Sequence, residues 1–555
     1  MATLLSAGAA LAQDASVPGT PSAPHPTIAN IAIDWPLAGD ADADGVVAVR
    51  YRVAGSATWR DAMPLRRVPA GTNAEAGFSW PNRHAGSVFD LLAATTYEIE
   101  LSLFDPDGGS IVRTIQVATR AVPTAASPGT TRPVLPATIA GVLATANPGD
   151  IIVLGPGAYA GFQVARDGTP TAPITLRGTP GALVSGEIGL FGRSDVRIES
   201  LAVNGRVRFN GSRRFALVGY TITASNAFQG DAVVSYTRAE DAYIADNTIS
   251  GLTVWAESSL GASGNNLGEG IVVNGPGHVV ARNRVSGFRD ALSLMEGAGV
   301  ADEQLSIDFI DNVVSEAADD GIEADFCFHD CRIMRNRFTN VFIAMSSQPG
   351  LGGPTYFIRN AAYNVVHIPF KLYRGSVGDV VLHNTIVKHG DPLNAYPGRP
   401  ISRAYFRNNL LLGGPPGTFN GFDSGTGRIT DLQTLETADS SLDHDGYGTT
   451  LATFAGRIGA VSYASFAQLT TLTSETHARQ VGYDVFANGV AFPAAPLTTY
   501  AAPALALAPG GAAVDAGVFI PNVDDGFNGV APDLGAFESA GAGSGEPPLF
   551  ASGFE

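Results

Sequence analysis

Apolar residues along most of this chain come in short runs broken by Gly, Asn, Asp and Pro, not in the stripes of long amphipathic helices. Between residues 26 and 120 the runs alternate with polar positions. Ile31-Ala32-Ile33-Asp34-Trp35 is one such run, Val47 to Val53 another, and Tyr97 to Leu103 a third, closed by Asp105-Pro106-Asp107-Gly108. Alternation with frequent turns predicts a small β-sandwich. Ala121 to Arg132 is rich in Pro, Thr, Ser and Gly and reads as a linker. Ala137 to Ala146 has a helical pattern, stopped by Asn147-Pro148-Gly149-Asp150 and followed by the strand Ile151-Ile152-Val153-Leu154. A helix there would cap the end of a stack of strands.

The strongest pattern is a repeat. Asn312, Asn336, Asn360, Asn384 and Asn408 stand 24 residues apart, each after a short strand-like run, and Asn283 and Asn247 extend the series at longer spacing. A constant period of this length predicts a solenoid, and units of strand without helix make it a parallel β-helix. Each coil then advances by one strand spacing, about 4.8 Å, and equal positions stack. Asn tolerates the left-handed conformation of a sharp turn and bonds its neighbours in the column, so these residues are read as structural. The expected fold is all-β: a right-handed parallel β-helix over 133–415 after a sandwich over 26–120 and a linker over 121–132. Loops or a cap fill 416–540.

Composition narrows the function. A chain of 555 residues calls for more than one structural unit. It carries 52 Asp and Glu against 34 Lys and Arg, a net charge of −18, with no basic cluster. That excludes a phosphate-backbone partner. An acidic polymer would need local cations or bound Ca²⁺ to approach. Residues 1–25 read as a signal peptide and leader, with an apolar segment from Leu4 to Ala12 ending in a small-x-small pattern, and this predicts export. The expected setting is secreted, periplasmic or cell-surface, as a monomer without a membrane span. The two cysteines, in Cys327-Phe328-His329-Asp330-Cys331, admit a local disulfide, free thiols, or a metal site with His329 and Asp330. Residues 541–555 form a tail.

Stacking locates candidate chemistry. Glu269, Asp290 and Asp320 each stand two before an apolar residue that points inward, so they form one column. Glu323 and Asp325 are two apart on one strand. With Phe370 aligned to Ile322, Lys371 enters the Glu323 column about 10 Å along the axis, with Arg374 beside it. Like charges one strand apart repel unless they bind a cation or share a proton. The column is therefore a Ca²⁺ site, a proton-sharing group or a solvated face. Phe326, Phe328, Tyr356 and Tyr373 stand nearby as candidates for stacking on sugars.

From about 133 to 415 the chain resembles the pectin-lyase-like superfamily of β-helix proteins. The features that carry this are the cap helix, Pro-Gly-Asp and apolar strand of the opening, and the coil Asp319-Asp320-Gly321-Ile322-Glu323-Ala324-Asp325. The opening is similar to that of alginate and dermatan-sulfate lyases. That resemblance implies a Ca²⁺-binding carboxylate-x-carboxylate strand, which Glu323-Ala324-Asp325 fits with Asp320 beside it. It also implies a Lys base and an Arg acid, which Lys371 and Arg374 would supply from a later coil, with His329 an alternative base. Asp290, Asp319 and Tyr373 would then meet substrate. Asp290 with Asp319-Asp320 is also similar to the carboxylates of polygalacturonases. A hydrolase or epimerase on the same face, or a glycan-binding surface protein, are the alternatives. Residues 26–120 resemble a fibronectin type III domain in Trp35, in the Tyr-Arg strand before Trp59, and in Leu92 placed five before Tyr97, which implies a spacer or docking module.

Overall fold

The computed structural model describes residues 13–539. The segment from Leu4 to Ala12 and the tail 541–555 lie outside the described residues. The chain is nearly all β, with α-helices only at Ile139–Ala144 and Phe466–Leu472 among the described residues.

The first unit is antiparallel. Its strands run in the order Val17–Pro18, Ile31–Ala38, Arg83–Val88, Arg60–Val68, Val46–Val53, Thr96–Phe104, Ile111–Ala118. Alternate residues Ile31, Ile33, Trp35, Val47, Val49, Ile99 and Leu101 fill its core. Leu92 donates its N–H to the Tyr97 hydroxyl at 2.8 Å. The apolar anchor of that corner is Leu91, which is buried, whereas Leu92 is exposed. Trp59 lies outside the core, beneath the guanidiniums of Arg50 and Arg52 at 4.7 and 4.4 Å. Val17–Pro18 pairs with Leu37 and Ala38, so the chain joins this unit earlier than residue 26.

The second unit is a parallel β-helix whose rungs build two sheets, one of 13 strands and one of 16. The first rung already starts at Thr130–Val134, paired with Asp150–Leu154, inside the expected linker. Ile139 and Leu143 of the short helix cap the bore. Parallel pairing runs on through Leu410–Gly413 with Gly446–Thr449 to Arg479–Val481. The β-helix thus extends well past 415, because long insertions break the sequence period without breaking the stack.

The asparagine column is real, with one correction. Asn247, Asn283, Asn312, Asn336 and Asn360 each donate Nδ2–H to the Oδ1 of the next member at 2.8–3.0 Å, ending on Asn384. That same Oδ1 also accepts the backbone N–H of the preceding Asn. After Asn384 the column passes to Asn409 and then Asp445. Asn408 is not a member; it is left-handed (φ 59°) and bonds Val518 instead. Elsewhere in the column the left-handed residue is the one before the Asn, as at Arg282, Asp311, Arg335, Arg359 and His383. That backbone turns the Asn side chain inward, into a buried run of amides whose hydrogen bonds offset their desolvation.

The first unit packs on the 13-stranded sheet. Arg332, fully buried, pairs with Asp308, and Asp308 accepts from Thr27 and Asn30 of the first unit. Ser87 donates to Asp330 at 2.7 Å. Phe78 stacks on Phe328 at 4.3 Å.

Candidate active site on the second sheet

Register brings the predicted acids and lysine to one wall. Leu292, Ile322, Met345 and Phe370 stack in the bore, which aligns Ser293, Glu323, Ser346 and Lys371 in the next column. Glu269 pairs with Asp290. Asp320 lies one rung further on, and its N–H donates to Asp290 Oδ1 at 2.8 Å.

Asp319 and Asp320 are adjacent, so on a regular strand they would face opposite sides. A register shift between Ala317 and Asp320 breaks the pleat. The bulge lets both carboxylates turn toward Asp290. Oxygens of Asp290, Asp319 and Asp320 all lie within 4.8 Å of one another. The Lys371 ammonium reaches back two rungs and donates to Asp320 Oδ2. Asp325 follows the end of the strand, in the turn before the Cys327–Cys331 disulfide. Its Oδ1 accepts from Ser346 Oγ and from the Gln348 N–H, the latter at 2.8 Å.

The electrostatics follow from crowding acids in a dry wall. Asp320 and Asp325 are fully buried, and Asp290, Asp319 and Lys371 nearly so. Burial, with neighbouring carboxylates, pushes the Asp319 carboxyl up to about 8. Burial raises Asp320 to about 6 and Asp325 to about 7, with Lys371 opposing in both. Glu323 is held well above the usual range by burial and by Asp290, Asp325 and Asp320. Burial disfavours the Lys371 ammonium, but Asp320, Asp325, Glu323 and Asp319 outweigh it and hold the charge on. Two acceptors, Asp320 Oδ1 and Asp325 Oδ2, are buried without a hydrogen-bond partner. Orphaned carboxylate oxygens amid excess negative charge fit a hard cation, for which Ca²⁺ is the match to an all-oxygen donor set.

The remaining predicted residues are placed as follows. Tyr373 is half-buried, its ring 5.0 Å from that of Tyr396. Arg374, also half-buried, pairs with Glu75 at 3.5 Å and Glu296 at 3.6 Å. His329 belongs to the other sheet; its Nδ1 engages Asp330 at 2.7 Å, and no hydrogen bond or ion pair joins it to the acids. Phe326, Phe328 and Tyr356, considered for sugar stacking, are buried, Phe326 and Phe328 among side chains of the first unit and Tyr356 against Phe89. The disulfide removes the alternatives of free thiols and of a cysteine metal site.

Several groups at the wall escaped sequence reasoning. Arg289 bridges the column, donating to Glu269 and Asp290 at 2.7 Å each. Its place beside Asp290 in the chain was the available signal. His367 Nδ1–H donates to the Asp423 carbonyl at 2.8 Å, which leaves Nε2 as acceptor for the Tyr396 hydroxyl at 2.7 Å. Burial raises that phenol, while the charges of Lys371, Asp320 and Asp319 reach it across the wall. Tyr396 comes from a loop between coils, where no period marks it. The hairpin of Gly71–Asn73 and Phe78–Trp80 also leans over the rim. Asn73 Nδ2–H donates to the Arg374 carbonyl at 2.8 Å, and Glu75 holds both Arg374 and Arg399. Trp80 sits where any Cβ at Gly352 (φ 94°) would stand 2.8 Å away. The first unit thus borders the wall through Asn73 and Glu75, where its sequence suggested a spacer or docking module.

A separate cavity of about 740 Å³ lies at the asparagine turns, lined by Arg282, Arg335, Arg359 and Tyr51 among others. None of its lining residues belongs to the carboxylate wall.

No protein-family model matches the sequence, and no curated protein matches it. Among solved structures, the chain is similar to the PL6 family alginate lyase AlyGC, at 15% identity and a TM-score of 0.31, over 61% of this chain and 56% of that one. It is also similar to the PL6 family polysaccharide lyase Pedsa3628 from Pseudopedobacter saltans, at 13% identity and a TM-score of 0.31, over 66% and 94%. The chain thus spans little more than half the length of the first of these.

Proposed function

We propose that this protein is a polysaccharide lyase that cleaves a uronate-containing polymer by β-elimination at the wall of Asp290, Asp319, Asp320, Glu323, Asp325 and Lys371. One observation carries the reading: a lysine is threaded into a buried group of carboxylates, beside acceptor oxygens that have no partner. Elimination needs a positive charge against the uronate carboxylate, a base for the proton on C5, and a proton for the departing oxygen on C4. Asp320, Glu323 and Asp325 are the residues that would hold Ca²⁺, with Asp290 and Asp319 adjoining. When bound, the ion supplies charge that neutralises the substrate carboxylate and acidifies the neighbouring C–H.

Lys371 is the base in this reading. Its ammonium is stabilised by the acids around it, so protons or a cation on those acids release it toward the neutral amine. The amine takes the C5 proton, the electron pair becomes the C4–C5 double bond, and the C4–O bond breaks. Tyr396, which keeps its proton, hands it to the leaving oxygen, positioned by His367. Arg374, three residues beyond Lys371, steadies the developing negative charge on the substrate. An oxidising compartment suits the disulfide, and an exported enzyme would meet its polymer there.

A second reading rests on Asp319. A carboxyl pushed up to about 8 beside Asp290 and Asp320 is a proton donor at neutral pH, as a glycoside hydrolase requires. One screen separates these readings. Acidic polysaccharides are incubated with the full chain, with added Ca²⁺ and with EDTA. Ultraviolet-absorbing unsaturated ends that vanish in EDTA support the lyase. New reducing ends without that absorbance replace it with the hydrolase, and retention of polymer without any product replaces both with a binding protein.

A further inference from the structure

Away from the carboxylate wall, three metal-ligating side chains converge at the far end of the β-helix: Asp443, His444 and His477. The fold itself brings them together. Gly446 pairs with Arg479 in the last rungs, so His444 and His477, each two residues earlier, face one another one rung apart. Their rings stack at 4.4 Å with an interplanar angle of 16°. Asp443 orients the group. Its Oδ1 accepts the backbone N–H of His444 at 3.0 Å and of His477 at 2.8 Å. Its Oδ2 is left toward the imidazoles, 2.8 Å from His477 Nδ1 and 3.3 Å from His444 Nδ1. His444 Nδ1 is buried and makes no hydrogen bond.

We propose that Asp443 Oδ2, His444 Nδ1 and His477 Nδ1 bind a divalent transition-metal ion, with Zn²⁺ the best fit. Two imidazole nitrogens and one carboxylate oxygen are the donors of a zinc site, whereas Ca²⁺ and Mg²⁺ take oxygen ligands. Ligands about 2.0–2.1 Å from a tetrahedral ion lie roughly 3.3 Å from each other. His444 and Asp443 already hold that separation. His477 Nδ1, 61% exposed as a side chain, closes the set by exchanging its contacts with Asp443 Oδ2 and Thr476 Oγ1 at 3.1 Å for a metal bond. Water completes the coordination.

The ion would tie the last strand, Arg479–Val481, and the loop before it to the preceding rung. Between rungs this edge is held by short backbone pairing, such as Arg479 N–H to the Asp445 carbonyl at 2.9 Å, and by the Tyr447 hydroxyl donating to Glu475 at 2.5 Å. The site is thus a clamp on the end of the stack, where an open sheet edge is most exposed.

The test uses the full chain without a histidine tag, stripped with chelator and titrated with Zn²⁺ and with Co²⁺ by calorimetry and visible absorption. With Ca²⁺ present to occupy the carboxylate wall, the expected result is one equivalent bound, a Co²⁺ spectrum of low symmetry, and a higher unfolding midpoint with Zn²⁺. His477→Ala and Asp443→Asn should each weaken binding at least about tenfold. His477→Ala should unfold close to the parent in EDTA, since the side chain is mostly exposed and its contacts with Asp443 and His444 are at the surface. Lys371→Met, at the other wall, should bind Zn²⁺ as the parent does. Binding unchanged in His477→Ala, or no binding by the parent chain, overturns the proposal.

Discussion

The ammonium of Lys371 donates to a carboxylate oxygen of Asp320 that lies two rungs away along the solenoid. It is the one lysine among the acids of the wall, and it holds a charge that none of those acids could keep out of water alone. Replacing Lys371 with Met should lower the rate of uronate elimination by about 10²-fold or more. The stability cost should depend on pH. Near pH 5 Asp320 already holds a proton in the parent, so no ion pair is lost and the unfolding midpoint should hardly move. Near pH 8 the variant should melt earlier than the parent. Midpoints equal to the parent at both pH values would dissociate Lys371 from the acids.

Stability of the parent chain should fall as pH rises. Asp319, Asp320 and Asp325 keep their protons to about 8, 6 and 7, against 3.8 for an ordinary aspartate. On these three groups the folded chain therefore binds more protons than the unfolded chain between about pH 4 and 8. Stability from these groups is full below that window and is lost as pH rises through it. Buried His84, His278, His367 and His389, lowered to about 4, oppose this below about pH 6.5, so the fall is clearest above it. Unfolding midpoints in EDTA from about pH 5 to 9 should show this, and Asp319→Asn should flatten the upper part of the curve. Adding Ca²⁺ near pH 8 should restore what was lost, because the ion replaces the protons.

Tyr396→Phe removes one hydroxyl and leaves His367 Nε2 without its donor. The stability cost should be about 1–3 kcal/mol, the usual penalty for an orphaned buried acceptor. If the hydroxyl delivers the proton to the leaving oxygen, turnover should fall at least about tenfold with KM little changed. A variant that turns over normally would leave Tyr396 a packing residue.

Asn360→Ala should weaken the whole stack. Asn360 donates to Asn384 Oδ1 and to the Ile333 carbonyl, both at 2.9 Å, and accepts from the backbone and side chain of Asn336 at 3.0 Å. All of these groups are buried, and the alanine leaves several unpaired. The loss should be about 3 kcal/mol or more. Denaturant unfolding should show a lower midpoint with an unchanged slope.

Much of the site was readable along the chain because a solenoid turns sequence spacing into spatial stacking. Two 24-residue coils separate Ile322 from Phe370 in the bore, with Met345 between them, and Lys371 follows Glu323 by that rule alone. The rule fails where backbone leaves the ladder. Asn408 keeps the interval, yet one extra residue in its coil hands the column to Asn409. Asp319 and Asp320 converge through a bulge that no period announces. His329 stands six residues from Glu323, yet the turn between them carries it to the other sheet.

The sequence by itself determined the solenoid, the asparagine column and the wall on which the acids and Lys371 meet, because each follows from a repeat whose unit spans one strand spacing. Only the tertiary structure decided which first-unit residues overhang Arg374, that Tyr396 hydrogen-bonds His367 beside the acids, and that His444 meets His477. Those contacts join segments with no common period, so their positions depend on how insertions and a second unit settle on the stack.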